Sequence, residues 1–161
     1  MPEQNKYHPI FHLAFPVHDL IATEQFYTSI LGCRTGRRDK KWIDFNFYGH
    51  QLVAHLVDKP DRNETTPLHT NPVDKKSVPV PHFGVILEWI KWETVAQNLC
   101  DSKVEFIIEP YIRFAGQSGE QATMFFCDPC GNAIEIKAFR HHDDIFRSWE
   151  IAKTWIQSSV I

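Results

Sequence analysis

The sequence predicts an α+β fold built from two similar βαβββ halves. An apolar strand that begins with a histidine and leads into an amphipathic helix occurs twice, as HLAFPVHDLIATEQFYTSILG from His12 and as HFGVILEWIKWETVAQNLCDS from His82. Further runs with strand periodicity follow each of these segments. Because 161 residues bury one ordinary core, we expect the duplication to lie inside a single domain.

In the first half, an apolar run at residues 10–17 has the length of a strand. Asp19 is a suitable helix N-cap, and the helical spacing of apolar residues that follows it ends at Gly32. Alternating apolar residues then predict strands at 42–47 and 51–57.

The second half repeats this order, with a strand at 82–87 and a helix at 90–100. Three further strands are predicted at 104–108, 122–127 and 133–139. Helical periodicity returns over 143–158.

These elements predict one domain over residues 8–140. It divides into module one at 8–58, a proline-rich linker at 59–80 and module two at 81–140. Residues 141–161 are expected to form a C-terminal helix.

Composition limits the classes of partner. The chain is 43% apolar and 23% charged with a net charge of −3, which is typical of a globular protein and offers no broad basic surface for nucleic acid. The basic run at 34–41 is interpreted as a solvated loop. No apolar stretch approaches the length of a membrane helix, and no signal peptide is evident, so a cytoplasmic location without membrane contact is expected. Four irregularly spaced cysteines favour reduced thiols.

Four residues in the apolar strands have side chains suited to metal binding. His12 and His82 head the first strand of each half. His55 and Glu135 lie in the closing strands, where we expect them to occupy equivalent places of the repeat. A glutamate between two isoleucines is costly to bury alone, and a divalent cation makes such burial favourable. An ion pair with Lys137, two residues along the same strand face, is the alternative explanation for Glu135.

The motifs HLAFPVHDL with FYTSILG, VPHFGVIL and DPCGNAIEIK together resemble the vicinal oxygen chelate superfamily of glyoxalases, bleomycin and fosfomycin resistance proteins and extradiol dioxygenases. The resemblance implies two βαβββ modules that form a cup-shaped mixed sheet. It also implies that His12, His82 and Glu135 are the metal ligands.

The resemblance leaves the reaction open at His55. Extradiol dioxygenases use two histidines and one carboxylate, which favours Fe(II) or Mn(II) and leaves room for O2 and a chelating substrate. Glyoxalase-like members have a fourth ligand at this place and use Ni(II) or Zn(II). His55 is therefore a candidate ligand, a candidate acid/base beside the metal, or a core histidine.

A dioxygenase-like oxidoreductase acting on a small substrate with adjacent oxygens is the leading prediction. The alternatives are a glyoxalase-type isomerase or lyase with the same site, and a metal-free resistance protein that binds a small molecule. Arg113 and Gln121, on either side of a glycine-bearing segment, are predicted to contact the substrate. A homodimer is expected. In the superfamily that the sequence resembles, modules pair within one chain or across a dimer, and the linker permits either.

Overall fold

The computed structural model describes residues 8–59, 69–73 and 75–147. Its strands form two four-stranded sheets and one two-stranded sheet. The chain divides into two compact units, and the turn Asp128–Gly131 belongs to the first of them.

The first unit contains one four-stranded sheet and one helix. Its elements are β1 (His12–Val17), α1 (Leu20–Gln25) with a continuing π-helical turn (Phe26–Ile30), β2 (Arg34–Asp39), β3 (Trp42–Phe47) and β4 (His50–Leu56). The strand order is β1-β4-β3-β2, in which β1 and β4 are parallel and the other pairs are antiparallel.

Capping and aromatic packing fix this helix on its sheet. Asp19 accepts hydrogen bonds from the backbone N–H groups of Ile21 and Ala22, as predicted for an N-cap. The buried ring of Tyr27 stacks on Phe45 with 4.9 Å between ring centroids. Burial, with the nearby Asp128 carboxylate, raises the pKa of the Tyr27 phenol well above its ordinary value. The phenol therefore stays protonated and donates to Asp128 Oδ2 at 3.4 Å.

The second unit repeats this topology and adds a hairpin. Its elements are β5 (His69–Val73), β6 (Lys76–Val80), β7 (Phe83–Leu87), α2 (Trp89–Asp101), β8 (Phe106–Arg113), β9 (Gln121–Cys127) and β10 (Ala133–Phe139). The large sheet has the order β7-β10-β9-β8 with β7 parallel to β10, and β5 pairs with β6. The predicted α+β fold of two βαβββ modules is confirmed.

Two segments predicted as loops are strands. The basic run at 34–41 contains β2, an edge strand whose six residues are all exposed, so no apolar alternation marks it in the sequence. The linker at 59–80 contains the β5–β6 hairpin, where Pro72 and Pro79 are tolerated because a two-stranded sheet consists of edges. Val78 of this hairpin packs in a buried cluster with Ile108 and Phe125.

The strand predicted at 104–108 begins and ends later, as β8 (Phe106–Arg113). Irregular pairing with β9 carries it past Pro110. Of the predicted C-terminal helix, the structure describes a short 3-10 turn (His142–Phe146), and the part beyond residue 147 lies outside the described residues. No described helix is long and apolar enough to cross a membrane. The single-domain organisation stays a prediction.

A glycine allows β7 to lie very close to β10. A Cβ atom built on Gly84 would lie 1.5 Å from the backbone oxygen of Glu135, its cross-strand partner. A backbone atom cannot rotate away from such an overlap as a flexible side chain can. Any larger residue at position 84 therefore has to push the two strands apart.

We expect Gly84→Ala to lower the free energy of unfolding by about 3 kcal/mol or more, since overpacking at this contact displaces backbone. Ile86→Ala in the same strand is the control, because Ile86 is 42% exposed and its truncation should cost about 1 kcal/mol or less. Urea unfolding followed by circular dichroism measures both. Equal midpoints for the Gly84→Ala variant and the wild type would contradict this packing.

Candidate functional site

The two faces of the second sheet differ in chemistry. Met124, Ile134 and Ile136 are fully buried on one face, where Trp92 of α2 donates its indole N–H to the backbone oxygen of Ile136 at 2.9 Å. Strand alternation places Glu135 on the opposite face. This second face carries Thr123 and Lys137 as well as Glu135.

Glu135 lies at the centre of a polar cluster. Its side chain is only 11% exposed, and its Oε2 atom is 3.3 Å from His82 Nε2 and 3.1 Å from Lys137 Nζ. Thr123 donates its hydroxyl to the other carboxylate oxygen at 2.9 Å. The ion pair with Lys137, which the sequence offered as the alternative to a metal, is therefore present.

The ring orientation of His82 is fixed by the β5–β6 hairpin. Nδ1 of His82 lies 2.6 Å from the backbone oxygen of Pro79, and a carbonyl oxygen only accepts, so Nδ1 carries a proton. If the ring has no second proton, Nε2 carries a lone pair that faces a carboxylate oxygen of Glu135. Two acceptors in this position are stable only with a proton or a cation between them.

A cavity of about 290 Å³ opens beside this cluster and is lined by His82, Glu135 and Lys137 together with residues 83–86 of β7. The same sheet face holds Arg113 and Gln121, which are cross-strand neighbours where β8 and β9 meet the intervening loop. Gln121 is buried, and the Arg113 guanidinium lies 5.1 Å from the Phe114 ring centroid. Their predicted contact with substrate stays a prediction.

His12 lies in the first unit, where its Nδ1 atom is 2.8 Å from Gln51 Oε1. Gln51 in turn donates through Nε2 to Asp44 Oδ2 at 3.2 Å. A cavity of about 410 Å³ in this unit is lined in part by Asp44, Gln51 and His50.

Strand register corrects the repeat position assigned to His55. In module two, Glu135 pairs with Gly84, which lies two residues after His82. In module one, the residue two positions after His12 is Ala14, and it pairs with Val53. His55 pairs with Pro16 and so matches Lys137, which pairs with Ile86. In the sequence, His55 and Glu135 both end an apolar run, and the ends of such runs do not report register. His55 is exposed, which contradicts the core interpretation of this residue.

Each unit offers part of the predicted ligand set. His82 and Glu135 come together in the second unit, and His12 lies in the first. Within the described residues, no group of three or more His, Cys, Asp or Glu side chains is arranged to hold a metal ion. The donor chemistry fits a divalent cation nonetheless, because both histidines have Nδ1 tied to an acceptor, and Nε2 of His82 lies 3.3 Å from a carboxylate oxygen of Glu135.

Sequence reasoning missed the groups that hold these side chains in place. Strand alternation places Thr123 on the same face as Glu135, which was a usable signal for its hydroxyl. Asp44 alternates with apolar neighbours on its strand and shares a face with Gln51. No sequence signal identified the Pro79 carbonyl, because its hairpin lies in a segment that reads as linker.

Comparison with known proteins gives a consistent result. The chain matches the Glyoxalase/Bleomycin resistance protein/Dioxygenase superfamily over residues 10–136. A solved structure of a glyoxalase/bleomycin resistance protein/dioxygenase from Alicyclobacillus acidocaldarius is 30% identical, with 86% of this chain and 96% of that chain covered and a TM-score of 0.66. No curated protein matches the chain.

More distant structures share the fold. A fosfomycin resistance protein from Listeria monocytogenes is 16% identical, with 86% of this chain and 98% of that chain covered and a TM-score of 0.60. A lactoylglutathione lyase from Agrobacterium tumefaciens is 15% identical, with coverage of 83% and 95% and a TM-score of 0.54. The family match over most of the chain and the relative at 30% identity show that this protein belongs to the glyoxalase/bleomycin resistance protein/dioxygenase superfamily.

Proposed function

We propose that this protein is a metal-dependent enzyme in which His12, His82 and Glu135 hold one divalent cation, with Fe(II) or Mn(II) favoured. The substrate class is a small molecule with two adjacent oxygens, and the reaction is of the extradiol dioxygenase type. One observation carries the proposal. His82 Nε2 lies 3.3 Å from Glu135 Oε2, and a cation between these two atoms would be bound by both.

The number of ligands supports the oxidative reaction over isomerisation. Val53 occupies the place in module one that matches Glu135 in module two, so the repeat supplies no second carboxylate. Two histidines and one carboxylate leave about three positions of an octahedral site open, enough for a chelating substrate and O2. A bound divalent cation supplies Lewis acidity and, as Fe(II) or Mn(II), redox chemistry with O2.

The chain's own polar residues have distinct proposed roles. Lys137 neutralises Glu135 in the metal-free protein, and its ammonium is available to a negatively charged substrate oxygen when a cation takes over that charge. Arg113 and Gln121 orient the substrate from the far end of the same sheet face. His55, exposed on β4, is assigned proton transfer.

A metal-free binding protein is the second candidate, and the Glu135–Lys137 ion pair favours it. In that case Lys137, Thr123 and a protonated His82 satisfy the carboxylate permanently, and the cavity binds a small molecule without chemistry. Metal affinity and the effect of Lys137 on it separate the two candidates.

The first test measures metal content. We expect His82→Ala and Glu135→Ala each to lower the affinity for Fe(II) or Mn(II) by an order of magnitude or more, because each removes one of three ligands. His142→Ala, which removes an exposed histidine, is the matched control and should leave affinity unchanged. Elemental analysis and competition with a chromophoric chelator report the result. Full occupancy in both ligand variants would refute the site.

His55→Ala should keep its metal and lose turnover.

Lys137→Met distinguishes the two candidate functions. If Glu135 binds a cation, removal of the ammonium 3.1 Å away should raise metal affinity by a factor of about three to ten, since the charge is partly screened by solvent. Lys91→Met, on the exposed surface of α2, controls for loss of one positive charge. An unchanged affinity in Lys137→Met, together with weaker thermal stability, would favour the metal-free protein.

The reaction class is tested with O2 uptake. The Fe(II) protein, reconstituted anaerobically, should consume O2 when offered a panel of catechols, and a ring-opened product should absorb at longer wavelength than the catechol. The Ni(II) or Zn(II) form given methylglyoxal and glutathione should show little turnover. Steady isomerase activity without O2 uptake on any catechol would replace the dioxygenase by the glyoxalase-type alternative while leaving the metal ligands in place.

A further inference from the structure

A chain of hydrogen bonds crosses the first sheet from β2 to β1. It links Arg37, Asp44, Gln51 and His12, with one residue on each of the four strands. We propose that Gln51 and Asp44 are positioning residues that fix His12 as the Nδ1–H tautomer and so present Nε2 as its metal-binding nitrogen. This inference rests on the proposed function, and it assigns roles to two residues that bind neither metal nor substrate.

The hydrogen-bond chain is anchored at a buried carboxylate, that of Asp44. Asp44 is only 7% exposed, and its Oδ2 atom lies 3.1 Å from both Nε and a terminal nitrogen of Arg37. The guanidinium itself is largely exposed to solvent. Asp44 is therefore anchored from the outer strand, and its oxygen is an acceptor of fixed position for groups on β4.

That acceptor decides the orientation of the Gln51 amide. Only the NH2 group of Gln51 can donate to Asp44 Oδ2, so Nε2 occupies the position 3.2 Å away. The amide oxygen must then point toward β1. The two ends of a glutamine amide are chemically opposite, and a carboxylate on one side removes the ambiguity.

The amide orientation in turn decides the tautomer of His12. Gln51 Oε1 lies 2.8 Å from His12 Nδ1 and only accepts hydrogen bonds, so Nδ1 carries the proton. Nε2 of the neutral ring is left as a lone pair. The nitrogen that binds a metal is set by the hydrogen bond of the other ring nitrogen.

In the second unit, a different hydrogen bond fixes the same tautomer of the candidate ligand His82. His82 Nδ1 donates to the Pro79 backbone oxygen at 2.6 Å, without any amide or carboxylate. Both candidate ligands thus carry a proton on Nδ1, and neither Nδ1 atom is available to a metal. The shared outcome of two different hydrogen-bond arrangements supports a common requirement for Nε2 coordination.

The test reads the tautomer directly, in protein without metal. Two-bond 1H–15N correlation spectra at a pH where His12 is neutral should show it as the Nδ1–H form, whereas a histidine without such a partner favours the Nε2–H form in water. Gln51→Leu should shift His12 to the Nε2–H form and weaken Mn(II) binding about 10- to 100-fold. The His82 signals should stay unchanged, which shows that the variant is folded.

Two further variants complete the design. Asp44→Asn frees the Gln51 amide to turn over, and we expect a mixture of His12 tautomers with a smaller loss of Mn(II) affinity. Gln97→Leu is the matched control. Gln97 also donates to an aspartate, Asp101, at 2.8 Å, but it lies on the exposed face of α2. It should change neither measurement.

The outcomes separate this inference from the proposed function. A wild-type His12 in the Nε2–H form, or a tautomer that Gln51→Leu leaves unchanged, overturns the inference even if the protein binds metal. Failure of the wild type to bind Mn(II) or Fe(II) overturns the proposed function, and the tautomer measurement then decides the hydrogen-bond chain independently.

Discussion

The parallel pairing of first and last strands is the constraint on which the rest of each unit depends. β1 lies beside β4 and β7 lies beside β10, although a helix and two strands separate each pair in the sequence. This pairing brings Gln51 to His12, and Glu135 to His82. Because side chains alternate across a strand, a shift of one residue in either pairing would move these groups to the helix-covered face. Register, and not strand composition, therefore determines the chemistry of each sheet.

The charge of Glu135 is tied to that pairing. A carboxylate with 11% of its side chain exposed loses most of its hydration, and the cost is several kcal/mol unless other groups replace the water. The replacements come from three places, the β9 hydroxyl of Thr123, the β10 ammonium of Lys137 and the His82 ring ahead of β7. No single segment of sequence supplies enough of them. The assembled sheet is therefore a precondition for the burial of a carboxyl group at this position.

The sequence predicts the elements that carry strong periodicity and misses those defined only by pairing. The two histidine-led strands, α1 and α2 were predictable because buried apolar residues recur at a fixed spacing. β2 was not, since an exposed edge strand needs no apolar residue. Lys137 was predicted as a partner of Glu135 because two residues along a strand share a face. The match of Glu135 to Val53 was not predictable, since it depends on hydrogen-bond register between residues far apart in the sequence.

The difference between the modules has an electrostatic consequence for the proposed site. With Val53 in place of a second carboxylate, the proposed set of two histidines and one carboxylate would have a charge of −1 around a cation, whereas a four-ligand set with two carboxylates would have −2. A divalent cation in the former set would keep a net positive charge, and the Lys137 ammonium would add to it. Such a site favours a substrate that binds through ionised oxygens over a neutral carbonyl compound. An ionised catechol meets this requirement with two adjacent oxygens, so the missing carboxylate of module one argues for the same substrate class as the count of open positions does.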